Sequence, residues 1–130
     1  MIEQGLWHLL STAPAITALC KTRIYPVVLP TGPAYPCMTY QDIVAPQQPT
    51  LDTAGMQHWR LQFDCWGETF VDASNLRKAL IDTLNGAQQT LSDGTVLQNA
   101  RLNNLHSDFA SASRTYRCIA DITLDFNFSS

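Results

Sequence analysis

Tyr116-Arg117-Cys118-Ile119-Ala120-Asp121-Ile122-Thr123-Leu124-Asp125-Phe126-Asn127-Phe128 carries the strongest alternation in the chain. Tyr116, Cys118, Ala120, Ile122, Leu124, Phe126 and Phe128 fall on one side of an extended backbone. Arg117, Ile119, Asp121, Thr123, Asp125 and Asn127 fall on the other. A period of two with one apolar side marks a strand whose inner face meets a core. At about 13 residues, against a usual 5–6, the pattern predicts a terminal strand that overruns the domain it closes.

The same alternation recurs upstream. Trp59, Leu61, Phe63 and Cys65 share one face, and Arg60, Gln62, Asp64 and Trp66 the other. A helix follows, with Thr69 and Asp72 placed as a capping box, Phe70, Ala73, Leu76, Leu80 and Leu84 as its buried stripe, and Gly86 at its C-terminal cap. Asp93-Gly94 marks a turn. Val96 to Leu105 reads as an amide-rich strand, and His106 to Ser113 as a loop of small residues.

Towards the N-terminus, Ile2, Leu6, Leu9, Leu10 and Ala13 form a helical stripe. Pro14 opens a second short helix, Ala15 to Cys20, with Ile16 and Leu19 inward and Ser11 or Thr12 as its cap. Ile24 to Leu29 is β-rich but contains Pro26, which removes a ladder donor and predicts an edge strand or extended arm. A proline-rich connector leads to a strand at Cys37–Val44, and Ala45 to Gln57 is a polar loop. This order predicts an α+β fold: a mostly antiparallel or mixed sheet of four to five strands with two helices packed on one face. Only the crossover through the second main helix is placed to give a parallel neighbour.

The chain has 130 residues, read as a single domain over 1–130. It is 45% hydrophobic and only 15% charged, against about 25% charged in an average soluble domain. That composition excludes a disordered chain. A net charge of −3 argues against a module that grips phosphate backbones. Met1-Ile2-Glu3-Gln4 lacks a signal-peptide pattern, and no apolar run approaches the ~20 residues of a membrane span. These features, with the wide spacing of Cys20, Cys37, Cys65 and Cys118, predict reduced thiols in the cytosol and no membrane association.

Chemistry-bearing motifs are thin. His8, His58 and His106 form no metal-type spacing, and no P-loop, G-x-G-x-x-G or G-x-S-x-G occurs. Asp121 and Asp125 point the same way about 13 Å apart along a strand, too wide for a glycosidase-type acid/base pair. Cys65 and Cys118 lie on apolar faces and read as core residues. The residues therefore predict no catalytic group, no metal and no cofactor. Instead, the low charge, the polar loop, the long last strand, and Trp66 and Ile119 on faces that should be wet suit a surface that meets other proteins; the alternative for Trp66 and Ile119 is packing under a helix or loop of the same chain.

The order of several short motifs resembles one family. These are the opening helix with its Pro14-Ala15-Ile16 turn, Thr22-Arg23-Ile24-Tyr25-Pro26, and Tyr35-Pro36-Cys37-Met38-Thr39-Tyr40-Gln41. They are followed by Trp59 to Leu80 with Asp64-Cys65-Trp66-Gly67, and by the helix closing at Asn85-Gly86. Together they resemble the tail-completion proteins of long-tailed phages, which are similar to tail terminators, or tail-to-head joining proteins. The likeness runs from about residue 1 to 86; beyond residue 95 it is only to a general pattern of two closing strands.

The resemblance implies a structural protein without enzymatic activity, assembled in the bacterial cytoplasm and residing in the tail and neck of a virion. It implies a ring, typically of six copies, at the head-proximal end of a non-contractile tail tube, which stops tube growth and joins tail to head. Partners are then further copies of the chain, the tail-tube protein and a neck or connector protein, with DNA only passing non-specifically through the lumen, which a net negative charge suits. Gln47, Gln48, Thr50, Asp52, Met56, Gln57, Trp66, Phe109, Arg114 and Ile119 are the candidate assembly-interface residues, and the Gln47–Gln57 and Ser107–Ser113 loops are expected to project as contacts. Alternatives are another neck, connector or tube subunit and, from a different class, a small cytosolic ligand-binding domain, which needs a pocket of convergent polar groups.

Overall fold

The computed structural model describes residues 2–44, 57–84, 89–90, 96–112 and 114–127. Among these, α1 (Ile2–Thr12), α2 (Pro14–Cys20), β1 (Ile24–Pro26), β2 (Cys37–Val44), β3 (Gln57–Gly67), α3 (Phe70–Leu84), β4 (Gln89–Thr90), β5 (Val96–Ala110) and β6 (Thr115–Asn127) follow in order. The α+β class is as the sequence predicts. The sheet has six strands in the order β1-β2-β3-β6-β5-β4, one more than the upper expectation, because the two residues of β4 add a short edge. Pro14 divides the N-terminal helical stripe into α1 and α2, since its ring nitrogen has no proton to donate. The residue before it, Ala13, caps α2 without a side-chain bond. Ser11 and Thr12 do not cap; their hydroxyls donate back to the His8 carbonyl at 3.3 and 2.7 Å.

β6 does not overrun the domain. It is an interior strand, antiparallel to β3 on one side and to β5 on the other. Each of the 11 residues of β3 has a partner on β6, from Gln57↔Phe126 to Gly67↔Tyr116. The length of β6 is therefore what two long neighbours require. The parallel pair also lies elsewhere than expected. β1 runs parallel to β2, because the connector between them carries the chain back past the sheet's end before it re-enters. β5 leaves α3 but pairs with β6 and not with β3.

The expected loop from His106 is also strand: β5 continues to Ala110, with Asp108↔Arg117, Phe109↔Tyr116 and Ala110↔Thr115 in register. The register is unbroken from Asn104 to Ala110. Composition hid this stretch, because His106, Ser107, Asp108 and Ala110 present no apolar face, while the register shifts between Leu97 and Asn99 and between Leu102 and Asn104 lie upstream of it. Each extra residue reverses which side chains face inward, so no single alternation spans the strand.

The three described helices cover one face of the sheet. Leu6 and Leu10 of α1, Ile16 and Cys20 of α2, and Ala73, Leu76, Leu80 and Leu84 of α3 join Met38, Tyr40, Trp59, Leu61, Phe63, Cys65, Cys118, Ala120, Ile122, Leu124 and Phe126 in one core. Burying each of the larger side chains contributes about 1.5–3 kcal/mol. Trp59 stays in this layer by donating its indole N–H to the Asp42 carboxylate. Phe70, expected in the buried stripe, is exposed because it begins α3 at the sheet's end. Gly86, Asp93, Gly94, Ser113 and Phe128 lie outside the described residues.

Gly67 fixes how β3 hands over to α3. A Cβ there would lie 2.7 Å from the Ala73 backbone nitrogen and 3.0 Å from the Thr69 carbonyl oxygen. The same turn is closed by Asp72 N–H donating to Thr69 Oγ1 at 3.1 Å and Ala73 N–H to Thr69 O at 3.2 Å. A methyl group therefore pushes backbone against backbone. Gly67→Ala is expected to cost about 1–3 kcal/mol, read as a lower urea midpoint with an unchanged m-value; an unaltered midpoint refutes the close-approach argument.

Candidate assembly surfaces

The sheet face away from the helices is built from the other half of each alternation, and its charges are paired across strands. Arg60 on β3 holds Asp121 on β6 through two bonds, Nε at 3.0 Å and Nη2 at 2.6 Å. Arg101 on β5 holds Asp125 likewise, at 2.9 and 3.0 Å, while His58 Nδ1 lies 2.6 Å from the same carboxylate. Arg117 reaches Asp108 through Nε at 2.9 Å and through Nη2, and lies 3.6 Å from Asp64. Gln62 donates to Asp64 at 2.8 Å, and Asn103 to Asp121 and Thr123 at 3.2 and 2.7 Å. Two-pronged guanidinium–carboxylate pairing fixes both side chains.

The carboxylates respond in opposite directions. The Arg60 and Arg117 guanidinium groups hold Asp121 and Asp108 below the ordinary carboxylate range. Burial alone raises Asp125, but the bonds from Arg101 and His58 together outweigh it and leave it lowered. Asp64 is raised, because burial outweighs what Gln62 and Arg117 return.

On the helix side, both flanks of the core layer are open among the described residues. Beyond α3, the β5 side chains Leu102, Leu105 and Phe109 are exposed. Phe109 meets Tyr116 edge-to-face with centroids 5.0 Å apart, and Tyr116 meets Phe70 at 6.2 Å. At the opposite edge, Gln4, Trp7, Pro26 and Tyr40 line a groove of about 330 Å³. Trp7 is fixed there by donating Nε1–H to the Ile24 carbonyl at 3.2 Å. Val27 and Val28 stand beside it, 68% and 72% exposed.

The sequence-predicted interface residues do not converge. Gln47, Gln48, Thr50, Asp52 and Met56 lie outside the described residues. Gln57 begins β3 at one end of the sheet, and Trp66 lies near the other. Trp66 is half-buried, donating to Thr39 Oγ1 at 3.2 Å beneath the Arg117 guanidinium, 5.5 Å from its ring. Ile119 is 4% exposed, in register between Asp64 and His106, so it is not the exposed apolar residue that alternation alone predicts. Phe109 is 45% exposed as expected, but on the helix side and within a strand. The predicted Ser107–Ser113 loop is therefore reduced to the tight turn after Ala110, where Arg114 adopts φ 55°. Leu102, Leu105, Phe70, Trp7 and Val27 were missed as surface residues, because apolar periodicity signals a core whether or not anything covers it.

The four cysteines are buried and unpaired with one another. Burial pushes the Cys20 thiol up to about 11 and Cys37 to about 12, and raises Cys65 well above the ordinary thiol range. Among the described residues no group of three or more His, Cys, Asp or Glu side chains is arranged to hold a metal ion. No described helix is long and apolar enough to cross a membrane.

The profile of the family Tail completion protein gp17 matches residues 4–124. The chain belongs to that family. It is a structural protein of phage tails. Among solved structures, a chain from the virion of a native gene transfer agent (GTA) particle shares the fold, with a TM-score of 0.76 and 17% identity over 97% of this chain and 94% of that one. No curated protein matches.

The carboxylate shifts fix the sign of the pH dependence. Asp108, Asp121 and Asp125 contribute stability that is present above the unfolded value of about 3.9 and lost as pH falls through their lower folded values. Asp64 has the opposite sign: its contribution is present below the unfolded value and lost as pH rises through its raised one. Urea midpoints are expected to fall in acid; Asp125→Asn flattens that fall and Asp64→Asn steepens it. The reverse ordering of the two variants contradicts the assigned shifts.

Proposed function

We propose that the protein assembles as a closed ring at the head-proximal end of the tail tube, where it ends tube growth and joins tail to head. The observation that carries this reading is the family match over residues 4–124. Two features of the fold support it. The ion-paired sheet face engages Arg60, Arg101 and Arg117 with carboxylates, so it suits a surface past which DNA moves without being held. The apolar flanks lie at opposite edges of the sheet, as a ring of identical contacts requires.

Termination then follows from geometry. One rim of the ring matches the tube and docks on it; the other rim offers the neck a surface that a further tube subunit does not fit. Tube protein and a neck or connector protein are the partners on the two rims, and no step of the reading requires a reaction.

Six copies of 14.5 kDa weigh roughly 87 kDa. Native mass measurement is expected to give one discrete closed species near that value. Open polymers of unlimited length would instead assign the chain to the tube itself, and a monomer persisting at high concentration would remove the ring.

A further inference from the structure

The two open flanks match each other. Leu102, Leu105 and Phe109 form an apolar row along β5, outside which the described residues place only Gln89–Thr90, paired with Val96 and Leu97. The groove of Trp7, Pro26 and Tyr40 lies at the other end of the strand order, beside β1. Four strand spacings of about 4.8 Å separate the two edges, so a copy cannot fill its own groove.

The register sets their relative height. Leu105 pairs with Ala120, Ala120 with Phe63, and Phe63 with Tyr40. The row and the groove are therefore level across the sheet, and both open on the helix side. A second copy placed edge to edge, the same way up and without slippage along the strands, brings one onto the other. Cyclic symmetry requires a contact of this kind, because each copy must present the same two different patches with no rise between neighbours. Two homologous rows, or two grooves, would instead meet face to face as a two-fold pair.

Resting on the ring reading, we propose that the occupant of the groove is a second copy of this chain, whose Leu102–Leu105–Phe109 row seats against Trp7, Pro26, Val27 and Tyr40. At 47%, 41% and 45% exposed, the three side chains of the row offer on the order of 200 Å², roughly a quarter of what one partner gives a standard interface. The outer edge of β5 supplies backbone donors and acceptors for the remainder, as an added strand does. Phe109, supported by Tyr116, is the rigid aromatic anchor of the contact.

Two charge substitutions separate the partners. Leu105→Asp damages only the row. Val27→Asp damages only the groove, and aspartate accepts the left-handed backbone there, φ 64°, better than a β-branched residue does. Circular dichroism and urea midpoints check that both variants fold. Native mass is expected to show a ring for the wild-type chain, monomers for each variant alone, and a one-to-one complex of roughly 29 kDa when the variants are mixed. In that mixture the intact row of Val27→Asp seats in the intact groove of Leu105→Asp, and nothing further can add. Rings formed by either variant would overturn this surface while leaving the ring itself standing. Loss of assembly in Leu105→Asp alone, with no rescue on mixing, would replace the head-to-tail contact with a two-fold one. A wild-type chain that forms no ring ends both readings.

Discussion

β6 is hydrogen-bonded along its length on both sides, to β3 and to β5, and every other element takes its place from that double pairing. A strand with two long neighbours satisfies its backbone polar groups entirely within the sheet, which allows its side chains to be buried on both faces. Cys118, Ala120, Ile122, Leu124 and Phe126 face the helices as apolar core. Ile119, Thr123 and Asp125 are buried on the opposite face. The alternating pattern thus has two buried sides of different chemistry: one sealed by helices, the other by side chains from the flanking strands.

That second side gathers many of the chain's few charges into cross-strand pairs. Asp125 and Asp121 are four residues apart on one strand, and each is held by an arginine from a neighbouring strand. Such pairs contribute little as isolated surface contacts, but shared across β3, β6 and β5 they set which residue lies opposite which. A one-residue slip of β6 would bring its carboxylates to the core side and its apolar residues to the paired face. The network therefore specifies register, and register in turn sets the apolar row of β5 level with the groove beside β1.

The fold class, the core faces of β3 and β6, the inner stripe of α3 from Ala73 to Leu84, and the burial of Cys65 and Cys118 were all legible in the sequence, because each rests on local periodicity. β5 was only partly legible, since its stretch from His106 to Ala110 is mostly exposed and polar or small, and so shows no apolar alternation. The interface candidates differ in exposure, because position along an alternating pattern does not decide which neighbour covers a side chain. Ile119 stands at an outward position and is nevertheless covered, whereas Phe70 stands at an inward one and is not. Hydrophobicity at a position reports that a side chain prefers to leave water; it carries no information about which neighbour removes it.

Sequence alone determined the class of elements, the single apolar face of the helices, and, through the ordered motifs of residues 1–86, the family. These follow from interactions within a few residues, or from side chains whose spacing is fixed by the helix or strand itself. The tertiary structure decided that the last strand is interior, that β1 and β2 run parallel, and that among the described residues both sheet edges are open on the helix side. Those outcomes depend on which distant segments pair and how far the helices reach across the sheet. Such contacts join residues as far apart in the chain as Gln57 and Phe126, and no local pattern encodes them.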